Sequence, residues 1–488
     1  MIDFLCEFEP LAYFPGLVDI CKGEGKILFL VVRDGKASLE EKITLEQGTF
    51  SPPEPKGIQR QIRLALPNGL EVLDWMEKED QGLYGDLLVY LRRFCYLDEL
   101  QLSLTAHYAF MTYLHDHPDI SYCPYLLFYA VPERGKSRAG KGLSYVSFRG
   151  FHSVDMREAV IFRFAERLHG TLFLDLMDLW KKAQKNGCED ILLSRFEKGV
   201  QCSRVMYPEK GAFRDTEHYD IYGPTIIATN EPLHNILGTR CLPITMPNHP
   251  GNYENPKPEY ALALKARLTA WRAKHLCCDL PEIAVIEGID GRLWDISKPL
   301  FQIARLINPE NEVLVERAML EIAGDKISQK RGTMEGKIVE IIHELSEAKG
   351  LSRLPEWSFK ASEITKKFNE GRPSDRQVSV SWIGIRLTGL SLRKRQINGR
   401  SEYMIRQAEY KVLLAQYGLA QNKTYSSRVQ EPKVEGPTNT LPGNEISFHG
   451  VTGVVGGCRV LQQEGGIEKE MLEERAAIKE ADSDDVPF

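Results

Sequence analysis

A short apolar run that passes straight into a glycine- and lysine-containing loop constrains the fold of this chain more than any other feature. The run is PYLLFYA at residues 124–130, and the segment that follows it is VPERGKSRAGKG. A short apolar run opened by proline is typical of a buried parallel strand, and glycine lets the backbone after it approach a ligand closely. The pattern therefore predicts a strand followed by a phosphate-binding loop.

Two registers of this loop compete. The first is AVPERGKS at residues 130–137, with Ala130 where the GxxxxGK(S/T) pattern has glycine, and the second is GKSRAGKG at 135–142, which ends without a hydroxyl. The chemistry needs backbone N–H groups around phosphates, a lysine on the β- and γ-oxygens and a hydroxyl on Mg²⁺. We favour the first register, because it supplies the lysine and the hydroxyl directly after the strand; a glycine- and lysine-rich surface loop is the alternative. The residues assigned to nucleotide binding in this loop are Gly135, Lys136, Ser137 and Arg138.

Two later strand-like runs also end in polar residues. In GTLFLDLMDLW (170–180) the strand ends at Asp175, whose carboxylate we expect to reach Mg²⁺ together with the Ser137 hydroxyl. Many such sites place glutamate next, to orient the attacking water. Here Leu176 follows, and Asp178 takes that role only if the backbone turns at once. The alternative is a buried strand that is merely capped by Asp175.

The third strand lies in GPTIIATNEP (223–232) and ends at Thr229 and Asn230. Helical segments separate the three strands, and this alternation predicts an α/β fold with a mostly parallel sheet. Between the second and third strands, Cys202–Tyr207 and Glu217–Tyr222 are consistent with a hairpin that carries Lys210 at its tip. A plain surface hairpin is the alternative to a DNA-contacting one.

The rest of the chain divides by composition and periodicity. Residues 256–325 have a helical pattern, and 334–348 form an amphipathic helix with Ile338, Ile341 and Ile342 on one stripe. The predicted domains are a β-rich module (1–66), a P-loop core (67–250), a helical lid (251–330), a winged helix (331–418) and a disordered linker and tail (419–488).

Composition excludes several classes of protein. The chain of 488 residues is 43% hydrophobic and 27% charged, as expected of a globular protein with ample core. Its apolar runs are far shorter than the ~20 residues of a membrane helix. The first residues, MIDFLCEFEP, lack the pattern of a signal peptide, and the ten cysteines contain no CxxC pair. We therefore expect a cytoplasmic protein with reduced thiols.

The charge is distributed unevenly. Residues 351–410 carry twelve basic and six acidic side chains, whereas 464–488 carry three basic and nine acidic ones. The order helix, helix, helix, hairpin in 334–410 matches a winged helix, and Asn398-Gly399 is a strong hairpin turn signal. The wing would place cations on DNA phosphates, and a protein-contacting wing is the alternative. The wing cations are Arg393, Lys394, Arg395 and Arg400.

Residues 67–325 resemble a family of bacterial, plasmid and phage P-loop ATPases associated with replication, often linked to primase modules and distantly related to AAA+ proteins and helicases. The resemblance is carried by PYLLFYAVPERGKSR, TLFLDLMDLW, IIATNEPLHNILGTRCLPITMP and GRLWDISKPLFQIARL. It implies an oligomeric, Mg²⁺-dependent ATPase that acts on DNA. It also implies that Asn230 contacts the lytic water, that Arg240 is an arginine finger acting on a neighbouring subunit's ATP, and that Arg292 in the lid senses phosphate.

This chain departs from the family at Ala130 and Leu176, so ATP binding is a safer expectation than fast hydrolysis. One hypothesis is a replication ATPase, either a helicase-like motor or a loader. The other is a nucleotide-gated DNA-binding initiator or regulator that does not hydrolyse ATP, and Leu176 favours it.

The last residues, ADSDDVPF, resemble the acidic tip of bacterial single-stranded-DNA-binding proteins. Phe488 would fill an apolar pocket of a partner while its carboxylate meets a basic side chain. Asp484 and Asp485 would lie on a basic rim, and Pro487 would lower the ordering cost. The tip therefore predicts replication partners that bind such tails, with a solubilising tail as the alternative.

Overall fold

A computed structural model of the chain describes residues 9–53, 64–154, 157–211, 214–231, 233–249, 251–397 and 400–420, with no side chain described at 397, 400 or 401. In this part of the chain, no helix combines the length and the apolar character that crossing a membrane requires.

The elements of the described residues are named in chain order. The strands are β1 (Glu9–Pro10), β2 (Leu17–Lys22), β3 (Ile27–Arg33), β4 (Lys36–Glu40), β5 (Ile43–Leu45), β6 (Gly48–Ser51), β7 (Tyr125–Tyr129), β8 (Phe151–Ser153), β9 (Leu172–Asp175), β10 (Gln201–Val205), β11 (Thr216–Asp220), β12 (Thr225–Thr229), β13 (Cys241–Thr245), β14 (Glu356–Lys360), β15 (Arg393–Ile397) and β16 (Arg400–Arg406). The α-helices are α1 (Gly69–Met76), α2 (Leu83–Arg92), α3 (Glu99–Leu114), α4 (Lys136–Val146), α5 (Glu158–Leu168), α6 (Leu179–Lys185), α7 (Glu189–Ser194), α8 (Asn235–Gly238), α9 (Leu262–His275), α10 (Arg292–Ile307), α11 (Glu312–Arg331), α12 (Met334–Ala348), α13 (Ala361–Asn369), α14 (Val380–Gly389) and α15 (Gln407–Gln416).

Five strands form the central sheet in the order β13-β7-β12-β9-β8, and every neighbouring pair is parallel. Strand β12 lies between β7 and β9, so that Thr225 is in register with both Tyr125 and Leu172. This insertion separates β7 from β9, and in such sheets ligands bind in the crevice at the carboxyl ends of the strands. The predicted fold class is confirmed: the sheet is flanked by helices and has the arrangement of a P-loop NTPase core.

Helix α3 supports the sheet from one side. It begins at Asp98, which forms a capping box with Gln101, and its residues from Leu102 to Leu114 are buried. The Tyr108 hydroxyl donates to the carbonyl of Thr225 at 2.8 Å and thereby ties the helix to β12. Helices α10 and α11, from the region predicted to be helical, pack on α3 and complete this layer.

The N-terminal strands form two small sheets, in the orders β2-β3-β4 and β1-β6-β5. Two buried arginines of the core, Arg149 and Arg272, bond to strand β2 of the first sheet. Arg149 donates to Asp19 of β2 at 2.7 Å, and Arg272 pairs with Asp116 while it also donates to the carbonyl of Val18. Packing therefore continues across residue 66, which the sequence suggested as a domain boundary.

The predicted hairpin is present as β10 and β11, which pair antiparallel from Gln201 with Asp220 to Val205 with Thr216. Lys210 lies in the exposed connection between these strands, within a 3₁₀ turn over Pro208–Lys210. The Lys210 ammonium is 3.6 Å from the centre of the Tyr207 ring.

The C-terminal elements have a hydrophobic core of their own. The predicted stripe Ile338, Ile341 and Ile342 of α12 is buried there, against Phe359 and Ile364 among others. Strands β14, β16 and β15 form an antiparallel sheet in that order. The helices and the hairpin follow each other as the sequence predicts, and their action as a DNA-binding winged helix stays a prediction. The turn at 398–399 and the tail beyond 420 lie outside the described residues.

Candidate nucleotide site

The loop between β7 and α4 has the geometry of the first register. Gly135 adopts φ of 83° at the start of α4, in the left-handed region where glycine is favoured. Glu133 also has a positive φ, of 67°, which is strained for a residue with a side chain. Gly140 and Gly142 lie inside α4, so the second register would place its phosphate loop within a regular helix.

These two helical glycines have a packing role. A Cβ on Gly140 would come within 2.3 Å of the Phe173 ring, and one on Gly142 within 2.5 Å of Phe94. Their absence of a side chain lets α4 lie close to β9 and to the connection between α2 and α3. The sequence motif around Lys141 is therefore a helix-packing signal, although the Lys141 side chain also borders the cavity described below.

Lys136 forms no ion pair with any residue that the structure describes. Its side chain is only 7% exposed, and its ammonium donates to the carbonyl of Val131 at 2.8 Å. Burial lowers the pKa of Lys136, and the nearby Asp175 carboxylate opposes that shift. A half-compensated buried cation of this kind is electrostatically suited to receive an anion.

Ser137 and Asp175, distant in sequence, meet at the carboxyl ends of β7 and β9. The Ser137 hydroxyl donates to Asp175 Oδ1 at 2.9 Å. The two groups form the kind of hard oxygen pair that Mg²⁺ binds. His152 of β8 lies on the other side of this carboxylate, with Nε2 at 3.8 Å from Asp175 Oδ2. Sequence reasoning missed His152, because only the sheet order places β8 beside β9.

The residues after Asp175 do not supply the expected glutamate. Leu176 is 4% exposed and belongs to the core. Asp178 adopts a left-handed conformation, with φ of 54°, at the start of α6, and its carboxyl group hydrogen-bonds that of Glu231. This hydrogen bond lowers the pKa of Asp178 and raises that of Glu231. Asp178 therefore faces Glu231, which the sequence reasoning did not single out.

A cavity of about 620 Å³ opens at the carboxyl ends of the strands, within the size range of small-molecule sites. Of the predicted residues, Gly135, Lys136, Ser137, Arg138, Asp175 and Asn230 line it. Asn255 and Pro256, from the segment after β13, also line it and were not predicted. A second cavity, of about 530 Å³, lies between Trp75 and Trp271 and contains none of the predicted residues.

Arg240 and Arg292 lie at the opposite end of the strands, where the strands of the central sheet begin. The carbonyl of Arg240 accepts from the amide of Tyr125, the first residue of β7, so Arg240 is about 16 Å from the loop that follows that strand. Its guanidinium donates to the carbonyls of Leu193 and Ile236 at 2.8 and 2.6 Å. Burial first, and then Arg292, lower the pKa of Arg240.

Arg292 packs on the face of Phe196, with its guanidinium 4.9 Å from the ring centre, and Arg240 lies 5.1 Å from the same ring. Arg292 is not among the residues that line the cavity, and its role as a phosphate sensor stays a prediction.

The cations predicted to contact DNA differ in their surroundings. Arg393 donates to Glu409 at 2.7 Å, so part of the wing charge is compensated. Lys394 and Arg395 are exposed on β15. The side chain of Arg400 and the tip residues Asp484, Asp485, Pro487 and Phe488 lie outside the described residues.

Similarity to known proteins is found among solved structures. No protein-family profile and no curated protein matches the chain. Among solved structures, the apo A form of the NrS-1 C-terminal region is 12% identical, with a TM-score of 0.33. The match covers 80% of this chain and 96% of the NrS-1 chain. The SCCmec type IV Cch active helicase is 12% identical, with a TM-score of 0.37. The match covers 84% of this chain and 80% of the Cch chain.

Proposed function

We propose that this protein binds ATP with Mg²⁺ in the 620 Å³ cavity and acts on DNA as an oligomeric, replication-associated ATPase, either a helicase-like motor or a loader. The observation that carries the proposal is the meeting of Lys136, Ser137 and Asp175 beside the left-handed Gly135. A helix N-terminus with free N–H groups, a buried lysine and a hydroxyl–carboxylate pair suits a magnesium-bound polyphosphate.

Each residue has a distinct proposed role. Lys136 exchanges its bond to the Val131 carbonyl for phosphate oxygens. Ser137 and Asp175 hold Mg²⁺, which when bound neutralises charge on the phosphates. Asn230 follows β12 at the cavity wall and orients the attacking water. Arg240 lies outside its own subunit's cavity, and we propose that it completes the site of a neighbouring subunit.

DNA contact is proposed for two exposed basic features. One is the wing, where Lys394 and Arg395 are exposed and form no ion pair in the described part of the chain, although Arg395 lies opposite Glu402 in the hairpin register. The other is the hairpin, where Lys210 and the ring of Tyr207 lie together; aromatic and cationic groups of this kind bind single-stranded nucleic acid.

A second function is favoured by one observation. Leu176 is buried, and Asp178 faces Glu231, so no glutamate follows Asp175 to activate water. This arrangement favours a nucleotide-gated DNA-binding initiator or regulator that does not hydrolyse ATP. Single-turnover hydrolysis with and without DNA separates the two: DNA-stimulated release of phosphate supports the ATPase, and tight binding with no release supports the regulator.

We also propose that Phe488 anchors the protein to a partner that binds single-stranded-DNA-binding protein tails. Deletion of Phe488 should abolish partner capture in a pull-down from a bacterial replication extract while ATP and DNA binding are retained, because the tip belongs to neither site. Recovery of the same partners by the full-length and the Phe488-deleted protein would refute this role.

A further inference from the structure

We infer that the segment at residues 246–257, which follows β13 and which we call the β13 segment, forms the nucleobase side of the cavity, and that Asn255 selects the base. The inference rests on the proposed function, because it assigns a further part of the same nucleotide. The β13 segment carries no recognisable motif in the sequence. In this role, it would determine which nucleoside triphosphate the site accepts.

The sheet order gives the cavity a direction. Strand β9, with Asp175 at its end, lies two strands from β7 on one side, whereas β13 is the neighbour of β7 on the other side. Three strand spacings, or about 14 Å, separate β13 from β9. A triphosphate whose terminal phosphate and Mg²⁺ lie toward Asp175 therefore extends its ribose and base toward the side from which the β13 segment returns.

The β13 segment, described apart from residue 250, is held in place by the connection between α2 and α3. Glu254 receives two hydrogen bonds from the Arg93 guanidinium, at 2.7 and 3.1 Å, and its amide donates to the Arg93 carbonyl at 2.9 Å. His249 stacks on Tyr96 with ring centres 4.1 Å apart. These contacts fix the backbone directly before the cavity-lining residues Asn255 and Pro256, which reduces the ordering cost of binding.

The same connection lies beside the phosphate loop. A Cβ built on Gly135 would be 3.8 Å from the side chain of Cys95, two residues after Arg93. The β13 segment is thus fixed to the structure against which the loop itself rests. This arrangement brings Asn255 and Pro256 to the cavity wall, although more than a hundred residues separate them from Lys136.

The chemistry of these two residues suits a purine. The Asn255 side-chain amide is exposed and makes no hydrogen bond to the described part of the chain, so its donor and its acceptor are both available. An asparagine amide can form two hydrogen bonds with adjacent donor and acceptor groups of adenine. The Pro256 ring offers an apolar surface for the face of the base. The inferred preference is for adenine over guanine, whose groups are arranged differently.

The test compares full-length variants by equilibrium titration with ATP, GTP and inorganic tripolyphosphate, each with Mg²⁺. Asn255→Ala should weaken ATP binding about tenfold, since a bidentate contact of this kind discriminates by that order, and should leave tripolyphosphate binding unchanged. Asn255→Asp, which only accepts, should shift the ATP-to-GTP affinity ratio toward GTP. Asn252→Ala is the matched control, because Asn252 is exposed in the same segment but does not line the cavity.

Each outcome decides the inference. A parallel loss of ATP and tripolyphosphate affinity in Asn255→Ala would place this residue on the phosphates and overturn it, as would unchanged ATP affinity. If wild-type protein bound none of the three ligands, the proposed function would fall together with the inference. If binding requires Lys136 but is indifferent to Asn255, the inference alone fails.

Discussion

The two ends of the strands of the central sheet, called here the carboxyl edge and the amino edge, both carry cations, but they differ in how those cations are buried and satisfied. At the carboxyl edge, Lys136 has a carbonyl partner, and the Ser137–Asp175 pair completes a site within one chain. At the amino edge, the half-buried Arg240 and the exposed Arg292 both lie against the ring of Phe196, and the charge of Arg292 adds to burial in lowering the pKa of Arg240. The carboxyl edge therefore carries the groups of the proposed nucleotide site within one chain, whereas a role of the amino edge in the site of a neighbouring subunit stays a proposal.

The change with the largest expected effect removes the cation of the carboxyl edge. Lys136→Ala should abolish nucleotide binding, because no other ammonium donates within the described phosphate loop, while Lys141→Ala should keep most of it. Titration with a fluorescent ATP analogue measures both. The opposite ranking of the two variants would favour the second register, with Lys141 on the phosphates. It would also contradict the assignment of the nucleotide site to Lys136 at the carboxyl edge.

A change at the amino edge should act on rate and spare affinity. Arg240→Ala should leave ATP affinity nearly intact while turnover falls by ~10³–10⁵, the value of a transition-state arginine in favourable cases. Steady-state hydrolysis measures the turnover, and nucleotide titration on the same preparation measures the ATP affinity.

Mixing subunits tests whether Arg240 acts between chains. A mixture of Arg240→Ala and Lys136→Ala protein should regain part of the activity, since some interfaces then combine an intact loop with an intact arginine. Mixtures that remain inactive, from a protein that forms no oligomer with ATP, would mean that Arg240 supports only its own fold.

A smaller effect is expected away from both edges, at the wing. Replacement of Lys394 and Arg395 by Ala should weaken duplex binding equally for all sequences. The slope of log affinity against log salt should shrink by roughly 0.9 for each DNA phosphate that the variant no longer neutralises. Arg393→Ala is the internal comparison and should change the slope less, because Glu409 already compensates its charge. A slope unchanged in the double variant would assign the wing to protein contacts.

The smallest effect is expected for Arg292. Its guanidinium lies on Phe196 at the amino edge, so Arg292→Ala should not alter the affinity of the isolated subunit for ATP. Titration at protein concentrations below those at which an oligomer forms makes the measurement. A clear loss of affinity would show that the lid closes over the cavity of its own subunit and would remove the distinction between the edges.

Local patterns were sufficient for much of the site. Apolar runs ending in Asp175 and Asn230 predicted buried parallel strands, and the glycine before Lys136 predicted the loop, because these features depend on neighbouring residues. The same reasoning did not anticipate that Arg292 lies against Phe196, since a helix that follows the core can lie at either end of the strands. It also overlooked Glu231, whose contact with Asp178 depends on two connections that follow different strands.

The sequence by itself determined the α/β class, the phosphate-loop pattern, the basic segment 351–410 and the acidic segment 464–488. Each of these follows from short-range hydrophobic periodicity or from local charge. The tertiary structure decided which distant residues meet, because their meeting depends on the order of the strands and on side-chain packing. The insertion of β12 between β7 and β9 brings Ser137 to Asp175, the position of β8 brings His152 to the same carboxylate, and the Arg93–Glu254 pair brings Asn255 to the cavity. These contacts join residues whose separation along the chain leaves no periodic signal, so only the packed strands and helices define them.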